Sequence, residues 1–427
     1  MTSAAVGPEI GADDTPGRTR LRRSLLILVL IWAGWAIALL AFQEIVVARV
    51  APARPDAVLE WTASETGLQR ANGRPYLGVD TLATHIAFDS EYYLSIAAVG
   101  YDDPLVPQYS GPDGDVPLNY AFLPGYPFAM KVVAAPLTWF GIAPAPAAAV
   151  AGVAVSLGAT LVAMLALFRL ARPHLADAGG IRTAFYLLIF PTGFFLAQVY
   201  SEAFFLAASF GALAAMVERR PFIAAAFSVV AVLTRPVGVA LVPAAAVALL
   251  LLLRQRREAE REISRTELIG WVVALLAPLV TYLAWSASEM GRTFDVVQRE
   301  YFGRGMLDLE ASWTVWTTTL AGLGEALPET RVYYGLEVAA VVLAVIASVW
   351  AFRRWPAAAV FGLATLVIAM TSGVPQGMVR YVLAVPVVFL LLARLGGHPA
   401  FDRVWTVVSL MLMALLAALY SVDFWVA

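Results

Sequence analysis

Long apolar runs separated by short polar turns make up most of the chain. The first, 24–42, is long enough as a helix to cross a hydrocarbon core, which takes about 20 residues. It follows a polar stretch, 1–23, that closes on Arg18, Arg20, Arg22 and Arg23 and reads as a disordered tail. A signal peptide opens in the same way, but this run is long for an h-region and many more follow, so a retained first helix is expected. The segment 43–120 is polar, with Pro, Gly and Asp clusters. The run 121–140 is apolar yet holds Lys131, Pro124, Pro127 and Pro136, which favours a helix lying along the interface or re-entering over a full crossing. Further spans are expected over 145–168, 183–200, 202–217, 222–233, 237–253 and 268–288, then, after a polar loop at 289–331, over 334–352, 357–371, 381–392 and 404–422. With the first helix these make about 11. The pattern predicts an all-α polytopic membrane protein, one transmembrane domain over 24–427 with outer loops at 43–140 and 289–331, the first carrying interfacial helices.

Composition agrees: 60% hydrophobic residues, 14% charged and a mean hydropathy of +0.76 are too apolar for a soluble fold of this length. Cysteine is absent, which excludes disulfides, thiolate nucleophiles and Cys-ligated metals. The distribution of charge sets an orientation, because cytoplasmic loops collect Arg and Lys. With the tail inside, the inner segments hold 18 of the 29 basic residues but only 10 of the 31 acidic ones. A plasma-membrane protein with a cytoplasmic N-terminus is expected. Asp89, Glu202, Arg235, Arg380 and the 289–331 loop then all fall at the outer face. No solenoid period or inverted repeat is evident.

An ionisable residue at the end of a membrane span is costly unless partnered, and so marks a functional candidate. Asp89 is flanked by Phe88, Tyr92 and Tyr93, a partly apolar setting in which a carboxylate can take a proton from an acceptor hydroxyl. The plainer reading is a helix N-cap, since Ser-Glu-Tyr-Tyr-Leu follows it. His85 lies four residues earlier, so one helix through both would make it a hydrogen-bond partner for Asp89 or for substrate, with Glu91 and Tyr93 close by. One His among scattered carboxylates is no zinc pattern, and no metal is expected. Arg235, in LTRPVG, and Arg380, in SGVPQGMVRYVL, suit a lipid phosphate gripped by paired hydrogen bonds, or a snorkelling anchor at the interface. Glu202, in QVYSEAFF, fits a helix N-terminus but also the orientation of Arg235 or contact with a sugar hydroxyl, and Gln198 and Tyr200 are candidates of the same kind. Asp102-Asp103 and Asp113-Gly-Asp115 read as turns rather than cation loops. Tyr301, Phe302, Trp313 and Trp316 form an aromatic belt or a lid. No P-loop, dinucleotide fingerprint, Ser/His/Asp signature or nucleic-acid module is present.

Four stretches, in order, resemble the PIG-V-like mannosyltransferases. They are Phe88-Asp89-Ser90 through Tyr93 with Ile96-Ala97 and Gly100-Tyr101; Phe122-Leu123-Pro124-Gly125-Tyr126-Pro127; Phe190-Pro191-Thr192 with Tyr200-Ser201-Glu202; and Thr234-Arg235-Pro236 with Gly238. The likeness covers about 88–238, and Phe88 departs from it by standing where that family has Trp. The resemblance implies a GT-C glycosyltransferase that transfers mannose, with inversion, from a polyprenyl-phosphate donor to a lipid or glycan acceptor. No cofactor is implied, and no metal, since a monophosphate is a smaller charge load than a pyrophosphate. It also implies that Asp89 is the base, Glu202 a site residue and Arg235 a ligand of the donor phosphate. Arg380 joins them from topology alone. The rival reading is a lipid or sugar-lipid flippase, which would place its charges near the bilayer midplane and often show repeated halves.

Overall fold

A computed structural model of the protein describes residues 16–66, 74–111 and 114–427. Helix α1 (Pro16–Arg49) starts inside the stretch expected to be a disordered tail, so 16–23 are helical, while the residues before them and Asp113 lie outside the described part. The first loop follows with the short helix α2 (Ser90–Ala98), an antiparallel hairpin of β1 (Gln108–Gly111) and β2 (Gly114–Pro117) with Tyr109 opposite Val116, and helix α3 (Gly125–Trp139). At 15 residues α3 reaches about 22 Å, short of the roughly 30 Å hydrocarbon thickness. It leaves Phe128, Val132 and Trp139 exposed beside Lys131.

The bundle continues with α4 (Pro144–Leu188), α5 (Glu202–Val217), α6 (Pro221–Thr234), α7 (Leu241–Glu258) and α8 (Arg265–Ala287). The loop expected at 289–331 is largely helical, as α9 (Glu289–Glu300) and α10 (Leu309–Gly322). Then come α11 (Pro328–Ala351), α12 (Pro356–Met370), α13 (Met378–Leu383), α14 (Pro386–Leu395) and α15 (Pro399–Ser421). Six of the described helices are long and apolar enough to cross a membrane, and α5, α6, α12 and α14 are shorter apolar ones, as befits a multi-pass membrane protein. Many of these helices open on proline, which suits the first turn because the missing N–H has no intrahelical partner there. Ser264, Ser288 and Asp308 cap three others by accepting from Glu267, Gly291 and Ala311 N–H groups.

Outward apolar stripes remain on α1 (Leu26, Leu30, Ile37) and α15 (Val404, Val407, Met411, Leu415), the faces that lipid would cover. By contrast α5 is buried on nearly all sides, and its Ala207, Ala208 and Gly211 let neighbouring helices approach closely. The Arg-rich turns are tied by ion pairs, with Arg182 3.5 Å from Asp402, Arg256 2.8 Å from Glu267 and Arg169 3.8 Å from Glu218.

Two expected spans are broken. The helix of α4 is interrupted at Ala176 (φ 56°) and ends at Leu188, so 183–200 is not one helix. Pro191 cannot continue it, and Gly193 must turn where a Cβ would lie 2.4 Å from the Leu188 carbonyl. The irregular backbone beyond is fully buried and needs outside partners. Ser156 donates to the Gln198 carbonyl (2.7 Å), Thr160 to that of Leu196 (2.8 Å) and Ser90 to that of Val199 (3.1 Å), while the Val199 N–H reaches the His85 carbonyl (3.1 Å). The expected 381–392 span is likewise two pieces, because Pro386 starts α14 anew after α13.

Candidate functional site

Helix α6 stops at Thr234 because Pro236 lacks an N–H and forces the residue before it to be extended; Arg235 has φ −148° and ψ 138°. Gly238 then folds the chain back where a Cβ would lie 2.7 Å from the Ala231 backbone. The Arg235 side chain is thereby sent sideways to the start of α5, where its Nε donates to Ser201 Oγ (3.0 Å) and its Nη2 to Glu202 Oε1 (2.5 Å). Arg380 reaches the same oxygen from α13, with Nε at 2.8 Å and Nη2 at 2.6 Å, and lies over the rings of Phe195 and Tyr200. The start of α13 is itself held by Glu337, whose carboxylate accepts from the Gly377 and Val379 N–H groups at 2.7 and 2.6 Å. Glu202 is 1% exposed and bridges two guanidinium groups, so it orients both arginines.

Asp89 faces them across a cavity of about 1260 Å³ lined also by Tyr93, Arg235, Arg380, Tyr381 and Trp425. Its Oδ2 lies 3.5 Å from Arg380 Nη2, and its side chain stays 30% exposed. Although Asp89 precedes α2, its carboxylate makes no capping bond, so the plain N-cap reading does not hold. Its position is fixed from behind: the Asp89 N–H donates to the Tyr200 hydroxyl (3.2 Å), which donates to the Ala87 carbonyl (3.1 Å). Phe88 takes a left-handed φ of 49°, unusual for a bulky residue and therefore a strain that the surroundings must hold. Its ring packs edge-on against Trp425.

That turn at Phe88 also separates His85 from Asp89, which share no helix face. His85 is buried outside the cavity lining, its Nδ1 3.1 Å from Gln198 Oε1, and Gln198 Nε2 donates to Gln43 Oε1 (2.9 Å). His85, Gln198 and Tyr200 thus hold the two loops together rather than face the cavity. Tyr93 does line it, and its hydroxyl donates to Ser201 Oγ (2.9 Å). Trp425 and Glu337 carried no signal in the sequence, while Ser201 and Tyr381 had one only as neighbours of Glu202 and Arg380. Asp103 is a buried turn residue that accepts from Tyr76, Ser95 and Leu105, in keeping with its sequence reading. No group of three or more His, Asp or Glu gathers to hold a metal among the described residues.

Glu91 points away from Asp89 into a second polar group. It is fully buried, neither carboxylate oxygen has a hydrogen bond, and Arg74 Nε lies 3.6 Å away; Arg74 also pairs with Glu65, which lines the cavity. Burial raises the Glu91 carboxyl to about 7 against the pull of Arg74. An acid raised on folding favours the folded state most below its unfolded pKa near 4.5, and that contribution is lost as pH climbs through 7. Glu91→Gln should therefore be more stable than the wild type at pH 8, by up to about 3 kcal/mol, and show no such gain at pH 4. Thermal unfolding of both proteins at the two pH values checks this; an equal difference at both would show that charge on Glu91 is not the cause.

Residues 77–252 match the family model described as Mannosyltransferase (PIG-V). Over that stretch the chain is PIG-V-like. The PIG-V-like segment holds Asp89, Glu202 and Arg235, whereas Arg380 and Glu337 lie beyond it. Among curated proteins none matches the chain. Among solved structures it is similar to ArnT from Cupriavidus metallidurans bound to undecaprenyl phosphate, with TM-score 0.44 and 16% identity over 87% of this chain and 62% of that one. It is also similar to the archaeal oligosaccharyltransferase AglB from Archaeoglobus fulgidus in complex with an inhibitory peptide and a dolichol-phosphate, with TM-score 0.42 and 14% identity over 91% of this chain and 55% of that one. The chain spans less than two thirds of the length of either protein.

Proposed function

We propose that the protein is a GT-C glycosyltransferase that moves mannose from a polyprenyl-phosphate donor to a hydroxyl of a lipid or glycan acceptor at the outer face of the plasma membrane. The observation that carries this reading is a half-exposed carboxylate, Asp89, in one cavity with two arginines bridged by a buried glutamate. The match to the mannosyltransferase model over 77–252 supports the choice of sugar.

Asp89 takes the proton of the acceptor hydroxyl as its oxygen bonds to the anomeric carbon. The bond from that carbon to the phosphate oxygen breaks on the opposite face, its electron pair leaves with the polyprenyl phosphate, and the configuration inverts. Charge is conserved within the site. Before transfer, Arg235 and Arg380 balance Glu202 and Asp89; once Asp89 is protonated the group carries one net positive charge, as the leaving phosphate gains one negative charge. Electrostatic stabilisation thus appears in step with the transition state. Such a scheme needs no metal ion.

Arg235→Ala should accordingly lower kcat by about 10- to 100-fold with a smaller change in donor KM. Steady-state kinetics with a labelled donor separates the two constants, and an unchanged kcat would remove Arg235 from this role. The reading as a whole is tested by incubating the purified full chain with labelled polyprenyl-phosphate mannose, glucose and arabinose and candidate acceptors. Transfer of mannose alone supports it. No transfer, with movement of the lipid between leaflets instead, would favour the flippase.

A further inference from the structure

The arginines beside Asp89 are poorly placed to hold an anion before reaction. Arg235 and Arg380 share Glu202, and Arg380 also reaches Asp89, so two cations already face two carboxylates. Arg74 lies between Glu65 and Glu91. Two further arginines, Arg292 and Arg304, reach the cavity wall, and neither has a carboxylate within ion-pair distance among the described residues. Arg292 is exposed, and it donates to the Ala287 carbonyl at 2.5 Å, so solvent screens its charge.

Arg304 is different. It is half-buried on the loop between α9 and α10, its Nη2 donates to the Gln376 carbonyl (3.1 Å) and its Nη1 lies 3.5 Å from Ser372 Oγ. A guanidinium has five N–H donors, so these bonds fix the group without using all of them. The loop is docked through its backbone on the segment leading to Arg380: the Gly305 N–H donates to the Ser372 carbonyl (2.9 Å) and that of Asp308 to Thr371 (2.8 Å). The approach depends on Gly373, which has φ 110° and where a Cβ would lie 2.4 Å from the Gly303 carbonyl.

We propose that Arg304 is the ground-state seat of the donor's phosphate, a cation delivered to the cavity by the second outer loop and kept free of carboxylates. This rests on the lipid-phosphate donor of the reading above and gives it a division of labour. Arg304 binds the phosphate ester before transfer, and the Arg235–Glu202–Arg380 group meets the charge that develops on leaving.

The test uses the full chain in nanodiscs, with undecaprenyl phosphate as the binding probe and labelled lipid-linked mannose as the substrate. Arg304→Gln should weaken probe binding and raise donor KM by about tenfold or more while kcat changes little, as loss of a charged hydrogen bond to phosphate would. Arg304→Lys should fall between it and the wild type, since it restores charge without the fork. Arg292→Gln removes the same charge from the rim and should move neither constant more than about threefold. Wild-type binding and KM in Arg304→Gln would overturn the assignment and leave the transferase reading intact, as would an equal loss in Arg292→Gln. A wild-type protein that neither binds the probe nor transfers from the donor would overturn both.

Discussion

Replacing Asp89 with asparagine should lower transfer by about 10²- to 10⁴-fold, the range expected when a general base is lost, while the protein stays folded and keeps its donor. The fold should survive because the carboxylate caps nothing and, among the described residues, its one close charged partner is Arg380 at 3.5 Å. Donor binding has a definite sign. With Asp89 neutral, the Arg235–Glu202–Arg380 group carries one net positive charge before reaction, so donor KM should stay level or fall. A carboxylate serving only to position Arg380 would give the opposite pattern, a raised KM with a modest change in kcat. Full activity in Asp89→Asn would remove the base from the scheme.

The second large effect is expected at Glu202. It is 1% exposed, and its Oε1 serves both Arg235 and Arg380. Glu202→Gln leaves two buried guanidinium groups, of which Arg380 alone has another carboxylate, Asp89, within ion-pair distance among the described residues, and breaking a buried pair in this way costs about 3–5 kcal/mol. Thermal unfolding should show a drop of that order together with loss of transfer. Adding Arg235→Met to Glu202→Gln removes one of the stranded charges and should recover part of the stability but none of the activity, a non-additive result that a double-mutant cycle resolves. Additive losses would mean that Glu202 and Arg235 are not coupled.

Much of this was legible in the chain because apolar runs of helical length have few other uses. The 183–200 stretch misled because Phe-Phe-Leu-Ala reads as any span does. Only Pro191 and Gly193 marked the place where helix gives way to backbone bonded by Ser156, Thr160 and Ser90. Glu202, Arg235 and Arg380 could be named since each stands at the edge of an apolar run, where an ionisable group needs a reason, and Asp89 since it stands among Phe88, Tyr92 and Tyr93 in the stretch that carries the family likeness. His85 failed as a partner of Asp89 because spacing presumes a helix, and the left-handed Phe88 breaks it. Glu337 and Arg304 gave no sign, as each acts through contacts with residues 372–379 that no local pattern records.

The buried stretch from Phe190 to Ser201 also bears on how the molecule is made. A helix closes its own hydrogen bonds as it leaves the insertion machinery, whereas this segment must borrow them from Ser156, Thr160, His85 and Ser90, all synthesised before it. Asp89 and Glu202 precede Arg235 and Arg380 in the chain, so the two carboxylates of the site are made before the two cations that balance them.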